Sequence, residues 1–576
     1  MIQIFKNHKW AIVLALVASI IIALPQLYLR ADLKDDYQGV ELLGMGDEVP
    51  WLSRVREAYD GYLAISNAYF KEGKSDPYIV QPLGSDIIAL FGRVFSMDIN
   101  NTMLFSRFLF SFLVFLLIYG FIFVFTRHKT TALAMSAFLF LGNAFFNRPA
   151  LLNILSGLSP DPSLKYVNYT RPVNPLMTHF FFFGFLFFYW LFLDKKQKKY
   201  GFLSAIFLGL SFYDYFYTWT FLYAFLGVLG VIYIFQKKWS DLKNIVFIVA
   251  GAAVIALPYL YNFYQTVMWS NYLEIGGRIG LISSRSLTLG FLVPLSLLVV
   301  FLFFPRKNKG QYFFALALAI TPFIVLNQQM ITGQVMQSAK YHWYYNVPLA
   351  IIFLGIIFFN LVEKKIRSNI VIKALAILIV FGSIGGAIFI QQNSYAAHRE
   401  NIREQQKYGP LMAWLNQNAQ KDEVVFTNND TAYFTVIYTP LNVFYHSSAK
   451  YTLAGTHERL LNAIFLYYRL DGVNNDNVER IFTEDRETIA IELYGIYIRT
   501  YTGKEDYLPD ELLLELIQKY QESLTVSTGD FFKEMLSTYQ VKYLVWDKKE
   551  NPSWQLDEYL FIKKVAEVND FAIYRF

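Results

Sequence analysis

The chain has 576 residues, a formal net charge of +6, 55% hydrophobic residues and only 17% charged ones. That balance excludes a disordered chain and fits a membrane protein with a soluble appendage. The absence of cysteine excludes disulfides, thiolate metal sites and thiol nucleophiles. The basic excess is no nucleic-acid footprint, because it sits in short loops between apolar runs.

Those runs are long enough to cross a bilayer, which takes about 20 apolar residues per helix. About eleven are predicted: 10–30, 103–125, 131–146, 173–193, two within 200–235 that turn at 213–219, 245–264, 287–305, 311–326, 346–362 and 370–390. The first lacks a small-residue cleavage site at 26–30 and is read as a retained span rather than a signal peptide. Alternate connectors are short and together carry 17 Lys and Arg against only Asp194, Asp241 and Glu363. The positive-inside rule places these connectors in the cytoplasm. An odd number of crossings from a cytoplasmic amino terminus then puts everything after Gln391 outside the cell membrane.

Four external segments remain: 31–102, 147–172, 265–286 and 327–345. The first is too long for a simple connector and is acidic, with twelve Asp and Glu against six Lys and Arg. Its middle reads helical: Val49, Leu52, Val55, Tyr59, Tyr62 and Leu63 recur at three- and four-residue spacing. An amphipathic helix next to a span is expected to lie along the membrane surface. The organisation is therefore a membrane domain over 1–393, with its long first external loop, followed by a soluble external α/β domain over 394–576. In that tail, 422–426, 435–438 and 541–546 read as strands. Residues 565–568 and 571–574 flank Asn569-Asp570 as a hairpin, and 411–418 and 511–520 read as helices.

Chemistry has four candidate places. Asp47 and Glu48 open the predicted surface helix. They either favour its positive end, worth roughly 0.3–1 kcal/mol, or supply a general base or metal ligand at the bilayer surface. Asp35 and Asp36 are rivals with no helix to position them. In 170–175, Arg171 stands beside a predicted helix start with Asn174 as N-cap and Pro175 as first helical residue. That pattern is an anion site or a headgroup anchor. His179 follows on the same helix and should face other helices. The amide-rich stretch 327–345 ends in Lys340, Tyr341, His342, Trp343, Tyr344 and Tyr345, either an aromatic belt or a surface for phosphate and sugar rings. Asp214 falls at the turn between two runs, where a carboxylate at membrane depth is a functional hypothesis by default.

In this order the pieces resemble the GT-C superfamily of integral membrane glycosyltransferases over roughly residues 1–390. Gly46-Asp47-Glu48-Val49-Pro50-Trp51-Leu52-Ser53-Arg54, continuing to Asp60-Gly61, is similar to that superfamily's acidic loop motif and surface helix. The segment 327–342 is similar to the polar external loop of its bacterial members. The resemblance implies a polytopic α-helical membrane protein that moves a sugar from a polyprenyl-phosphate or diphosphate donor to an unidentified external acceptor. Asp47 would take the acceptor's proton. Arg171, Asn174, Lys340, His342 and Asp214 enter as donor phosphate or sugar partners from chemistry and topology alone. Some members use a divalent cation, Mg or Mn, which here would fall to Asp47, Glu48 and Asp161. Two other readings stand beside this one: a transporter or flippase for a lipid-linked or polyanionic substrate, and a non-catalytic cell-surface assembly protein. No pair of inverted halves favours the transporter.

Overall fold

The computed structural model describes residues 2–142, 145, 165–366, 368–499 and 508–576, with side chains from Lys6 onward. Each predicted apolar run overlaps a helix, the end of 131–146 lying partly outside the described residues. In chain order, with the two helices of the first loop included, these are α1 (Ile2–Leu33), α2 (Glu48–Tyr59), α3 (Leu83–Val94), α4 (Ile99–Thr126), α5 (Lys129–Leu141), α6 (Leu176–Lys195), α7 (Lys198–Asp214), α8 (Phe216–Phe235), α9 (Trp239–Val267), α10 (Leu292–Phe303), α11 (Lys309–Asn327), α12 (Val347–Ile366) and α13 (Asn369–Glu404). Among the described residues, eight helices are long and apolar enough to cross a membrane by length and composition, and α5 and α10 are shorter apolar ones. The protein is a multi-pass membrane protein.

Apolar side chains packed between helices build the bundle. α6 lies on α4 and α7, α7 on α9, α1 on α4, α8 on α11 and α5 on α13. Aromatic rings fill its centre, where Phe125 meets Trp190 edge-on at 4.8 Å and Phe314 packs against both. The basic connectors gather at one end. Arg127 pairs with Asp194 at 2.5 Å, Lys196 with Asp241 at 2.9 Å, and Gln311 donates to the carbonyl of Phe125. The described parts of the long segments meet the tail away from these connectors, as where the Val443 N–H reaches the Tyr69 carbonyl.

The tail is not a separate appendage. α13 runs unbroken through the expected boundary at 393/394 to Glu404, and helix Tyr408–Asn418 follows after one 3-10 turn. Its sheet has the order β4-β3-β5-β7-β6: β3 (Val424–Phe426), β4 (Asn442–Val443), β5 (Val541–Asp547), β6 (Lys563–Val568) and β7 (Phe571–Arg575). The two strands outside it are β1 (Leu281–Ser283) and β2 (Gln334–Met336). Alternate residues of a strand face opposite sides, and here the two sides belong to different cores. Val425, Tyr543, Val545, Phe571 and Ile573 join the core that continues into the bundle. Val424, Phe426, Leu544, Trp546, Ala572 and Tyr574 join the tail's own helices. One sheet face is thus glued to the membrane domain.

The first loop makes that joint. α2 is expected on the membrane surface. Instead it is buried on both faces, between α3 and tail helix Asn429–Tyr438. Leu52 and Val55 are 3% and 0% exposed, and burying such side chains contributes about 1.5–3 kcal/mol each. The Val443 N–H donates to the Tyr69 carbonyl at 2.8 Å, and the Glu41 N–H to the Tyr438 hydroxyl at 2.9 Å. α3 itself is a second loop helix that the sequence reading omits.

Two further differences concern the tail. Residues 435–438, expected as a strand, are the last turn of helix Asn429–Tyr438. Asn428 caps that helix by accepting the Thr431 N–H at 2.9 Å, and all of Thr435 to Tyr438 is buried. Burial on every side lets β-branched residues sit in a helix against their propensity. The expected Asn569-Asp570 hairpin is present, with Val568 paired to Phe571 and Asn569 at φ +53.

Candidate functional site

The site begins with a buried arginine in the bundle. Arg107 of α4 is 1% exposed and reaches three segments at once. Its Nε donates to the Thr170 carbonyl at 3.0 Å, one Nη to Gln26 Oε1 at 2.6 Å, and the other to Glu48 Oε1 at 3.4 Å. Gln391 of α13 adds a bond to Thr170 Oγ1 at 2.8 Å. Glu48 and Thr170 are the chain neighbours of Asp47 and Arg171, so Arg107 holds those two residues side by side. The sequence reading misses Arg107, although an Arg inside a span is a signal in itself.

Glu48 is wholly engaged in that role. Its Oε2 accepts the backbone N–H groups of Leu43, Gly44 and Met45 at 2.8, 3.1 and 3.3 Å. Three successive N–H groups converge because Gly44 sits at φ +81, and a Cβ there would meet the His398 ring of α13 at 2.6 Å. This is a backbone nest closed on a carboxylate. Glu48 is 1% exposed and does not line the cavity described below.

Asp47 occupies the N-cap position of α2, yet its side chain caps nothing. It turns instead to Arg171, whose Nε donates to Oδ1 at 3.1 Å while an Nη bonds Oδ2. Trp51 Nε1 donates to Oδ2 at 3.2 Å. Arg171 also donates to the Tyr344 hydroxyl at 2.9 Å, leaving two of a guanidinium's five N–H donors for a ligand. Lys340 lies over the Tyr344 ring at 5.9 Å, and among the described residues no carboxylate pairs with it. Asp47, Arg171, Tyr344 and Lys340 therefore form one constellation with more positive than negative charge.

A cavity of ≈ 760 Å³ opens beside it. Asp47, Trp51 and Arg54 line it from the first loop, and Tyr215, Phe216 and Thr220 from the start of α8. Tyr259 and Phe263 come from α9 and Ile324 from α11, with Gln334, Gln337 and Lys340 from the long segment after it. The tail closes it with Ser448, Tyr451, Thr452 and Tyr497. β1 and β2 pair antiparallel, Leu281 with Met336, and carry the glutamines to the rim. Arg54 staples the floor by donating to the carbonyls of Ile65, Val80 and Gln81 at 3.2, 2.8 and 3.3 Å. Burial lowers its guanidinium to about 10, so it stays charged at neutral pH.

The other expected residues fall elsewhere. Asn174 is not the N-cap of α6. Pro175 holds that position, and Asn174 is buried with Oδ1 accepting from Thr178 Oγ1 at 2.6 Å. His179 faces the bundle as expected, between the Tyr169 hydroxyl and the Tyr344 carbonyl, both at 2.7 Å. His342 is half-buried with its ring against Trp343, whose own side chain is 58% exposed, and it does not line the cavity. Asp214 ends α7, is 3% exposed, and packs against Gly84 in the first turn of α3. Both of its carboxylate oxygens lack a hydrogen-bond partner among the described residues, and it too lies outside the cavity lining. Asp35 and Asp36 are exposed in a 3-10 turn.

Among the described residues a divalent cation finds no shared cage. Asp47 is tied to Arg171 and Glu48 to Arg107 and the nest, so each carboxylate already answers a different cation. Asp161 lies outside the described residues. Among those described, no group of three or more His, Asp or Glu could hold a metal.

No protein-family model matches the sequence, and no curated protein matches it. Among solved structures the chain is similar to ArnT from Cupriavidus metallidurans. For the apo state the TM-score is 0.46 at 11% identity, covering 99% of this chain and 98% of that one. For ArnT bound to undecaprenyl phosphate it is 0.46 at 12% identity, covering 78% of this chain and 89% of that one.

Proposed function

We propose that this protein is a membrane glycosyltransferase that moves a sugar from a polyprenyl-phosphate-linked donor to an acceptor hydroxyl at the tail-bearing end of the bundle. The observation that carries the reading is the constellation of Asp47, Arg171 and Lys340 around Tyr344: Asp47 and Lys340 line a cavity that suits a small ligand in size, and Arg171 stands behind Asp47, bonded to it and to Tyr344. Its apolar mouth, with Phe263 of α9 and Ile324 of α11, suits an isoprenoid chain. Its tyrosines and amides suit sugar rings.

In the reaction the acceptor oxygen attacks the anomeric carbon and the bond from that carbon to the phosphate oxygen breaks. The polyprenyl phosphate leaves with the electron pair, and its added negative charge is met by Arg171 and Lys340. The hydroxyl proton passes to Asp47. Oδ1 is the atom suited to take it, since it accepts one bond while Oδ2 accepts two, and each carboxylate oxygen has room for about two donors.

Removing Arg171 tests the phosphate role. Charge-assisted hydrogen bonds to phosphate contribute about 1.5–3 kcal/mol, so Arg171→Ala should weaken donor binding about ten- to a hundredfold. Titration of a polyprenyl-phosphate sugar into the purified protein reads this directly. An unchanged affinity would leave Arg171 a membrane anchor and remove the phosphate site.

The site is proposed to face outward across the cell membrane, with the basic connectors in the cytoplasm. Reporter fusions in the loop at Lys196 and after Phe576 should then report opposite compartments, the latter external. The same compartment for both would overturn the orientation.

A further inference from the structure

One wall of the cavity belongs to the tail, and it differs from the rest in its charge. Ser448, Tyr451, Thr452 and Tyr497 line it, together with Gln334 and Gln337 of the long segment. None of these six is ionic. The one lysine within this stretch, Lys450, is turned away and neutralised by Glu492 at 3.3 Å. The wall is also fixed in place. Arg278, 1% exposed, donates to the carbonyls of Lys450 and Gly455, and the Ser448 N–H is held by His446 Nδ1 at 3.0 Å. The Tyr497 ring lies over Gly280, where a Cβ would meet it at 3.0 Å.

We propose that this wall is the acceptor subsite, and that the acceptor is a neutral polyhydroxylated group, a sugar residue of a glycan. The proposal rests on the transferase reading and gives the tail its part in it. Tyrosine faces offer a flat apolar surface to the C–H face of a sugar ring, and hydroxyls and amides offer donors and acceptors around its edge. An acidic or cationic acceptor on this wall would meet no charged side chain among its six residues, and hydroxyls and amides do not repay the cost of desolvating a charge. The charged residues of the cavity stand at the first-loop and Lys340 side, where the donor phosphate is placed. The two substrates are thereby sorted by charge within one cavity.

Saturation-transfer NMR on the full-length protein in lipid nanodiscs tests this without donor or turnover. The probes are cellobiose, maltose and methyl mannoside as neutral sugars, with glucuronate and glucosamine as charged ones. Neutral sugars should receive saturation in preference to both charged ones. Tyr451→Ala and Tyr497→Ala should weaken their binding about two- to tenfold each, the equivalent of one aromatic contact. Tyr451→Phe and Tyr497→Phe keep the ring face and should bind more tightly than the alanine variants, which separates lost stacking from lost folding. Preference for a charged sugar, no saturation of any neutral one, or alanine variants that bind as wild type would each overturn the proposal. Failure of the transferase reading registers separately, as unchanged donor binding in Arg171→Ala.

Discussion

Asp47→Asn should give a folded protein that transfers sugar at least about a hundredfold more slowly, the lower range of what general base catalysis contributes. The substitution keeps the size of the side chain and removes its charge and basicity. Its structural cost is small for two reasons. The carboxylate caps no helix, so no cap is lost. Its ion pair with Arg171 joins side chains that are 33% and 29% exposed, and pairs so open to solvent contribute about 0–1 kcal/mol. Asp60→Asn is the control. Asp60 is bound by Arg56 one helical turn back, at 2.8 and 3.0 Å, outside the constellation, and its loss should leave transfer nearly intact. Exchanging the partners, Asp47→Arg with Arg171→Asp, separates pairing from chemistry. The ion pair can re-form and thermal stability should recover, while transfer stays low because the base and the phosphate partner have changed places. Wild-type transfer by Asp47→Asn, measured with the true donor, would end the assignment.

The bundle was legible in the sequence because a bilayer imposes a length and a composition on every crossing. Each expected run is a helix, and the basic connectors do meet at one end. Asp47 and Arg171 were legible as separate candidates, one by a motif and one by a helix start. Their pairing was not, since 124 positions separate them and only the bundle brings them together. Arg107 carried a signal of its own, an unexplained charge in an apolar run. The nest that occupies Glu48 carried none, because backbone N–H groups converge through the φ of Gly44 rather than through any residue pattern. β1 and β2 are three residues each and exist only by pairing residues far apart in the chain, Leu281 with Met336 and Ser283 with Gln334. Local periodicity has nothing to register there. The tail's attachment was hidden for a related reason: alternation in β5 and β7 reads as two buried faces, without saying that one of them belongs to another domain.

Adjacent carboxylates of the same motif should fail in different ways, and Glu48→Ala shows how. Removing one member of a buried ion pair typically costs about 3–5 kcal/mol, because the other charge is left desolvated and unpaired. Here the stranded charge is Arg107 at 1% exposure, and the N–H groups of Leu43, Gly44 and Met45 lose their acceptor with it. The expected result is a marked fall in the unfolding temperature of the detergent-solubilised protein and poor recovery from membranes. Glu48→Gln keeps the side-chain length and one carbonyl oxygen, and should fall between this variant and wild type. Since Glu48 does not reach the cavity, its loss acts on the support and not on the proton. The transfer deficit of Glu48→Ala should therefore shrink on cooling, as the folded fraction returns, whereas the deficit of Asp47→Asn should persist at every temperature. A Glu48→Ala protein as stable as wild type but inactive would reverse the roles of the two residues, making Glu48 the base and Asp47 the anchor of Arg171.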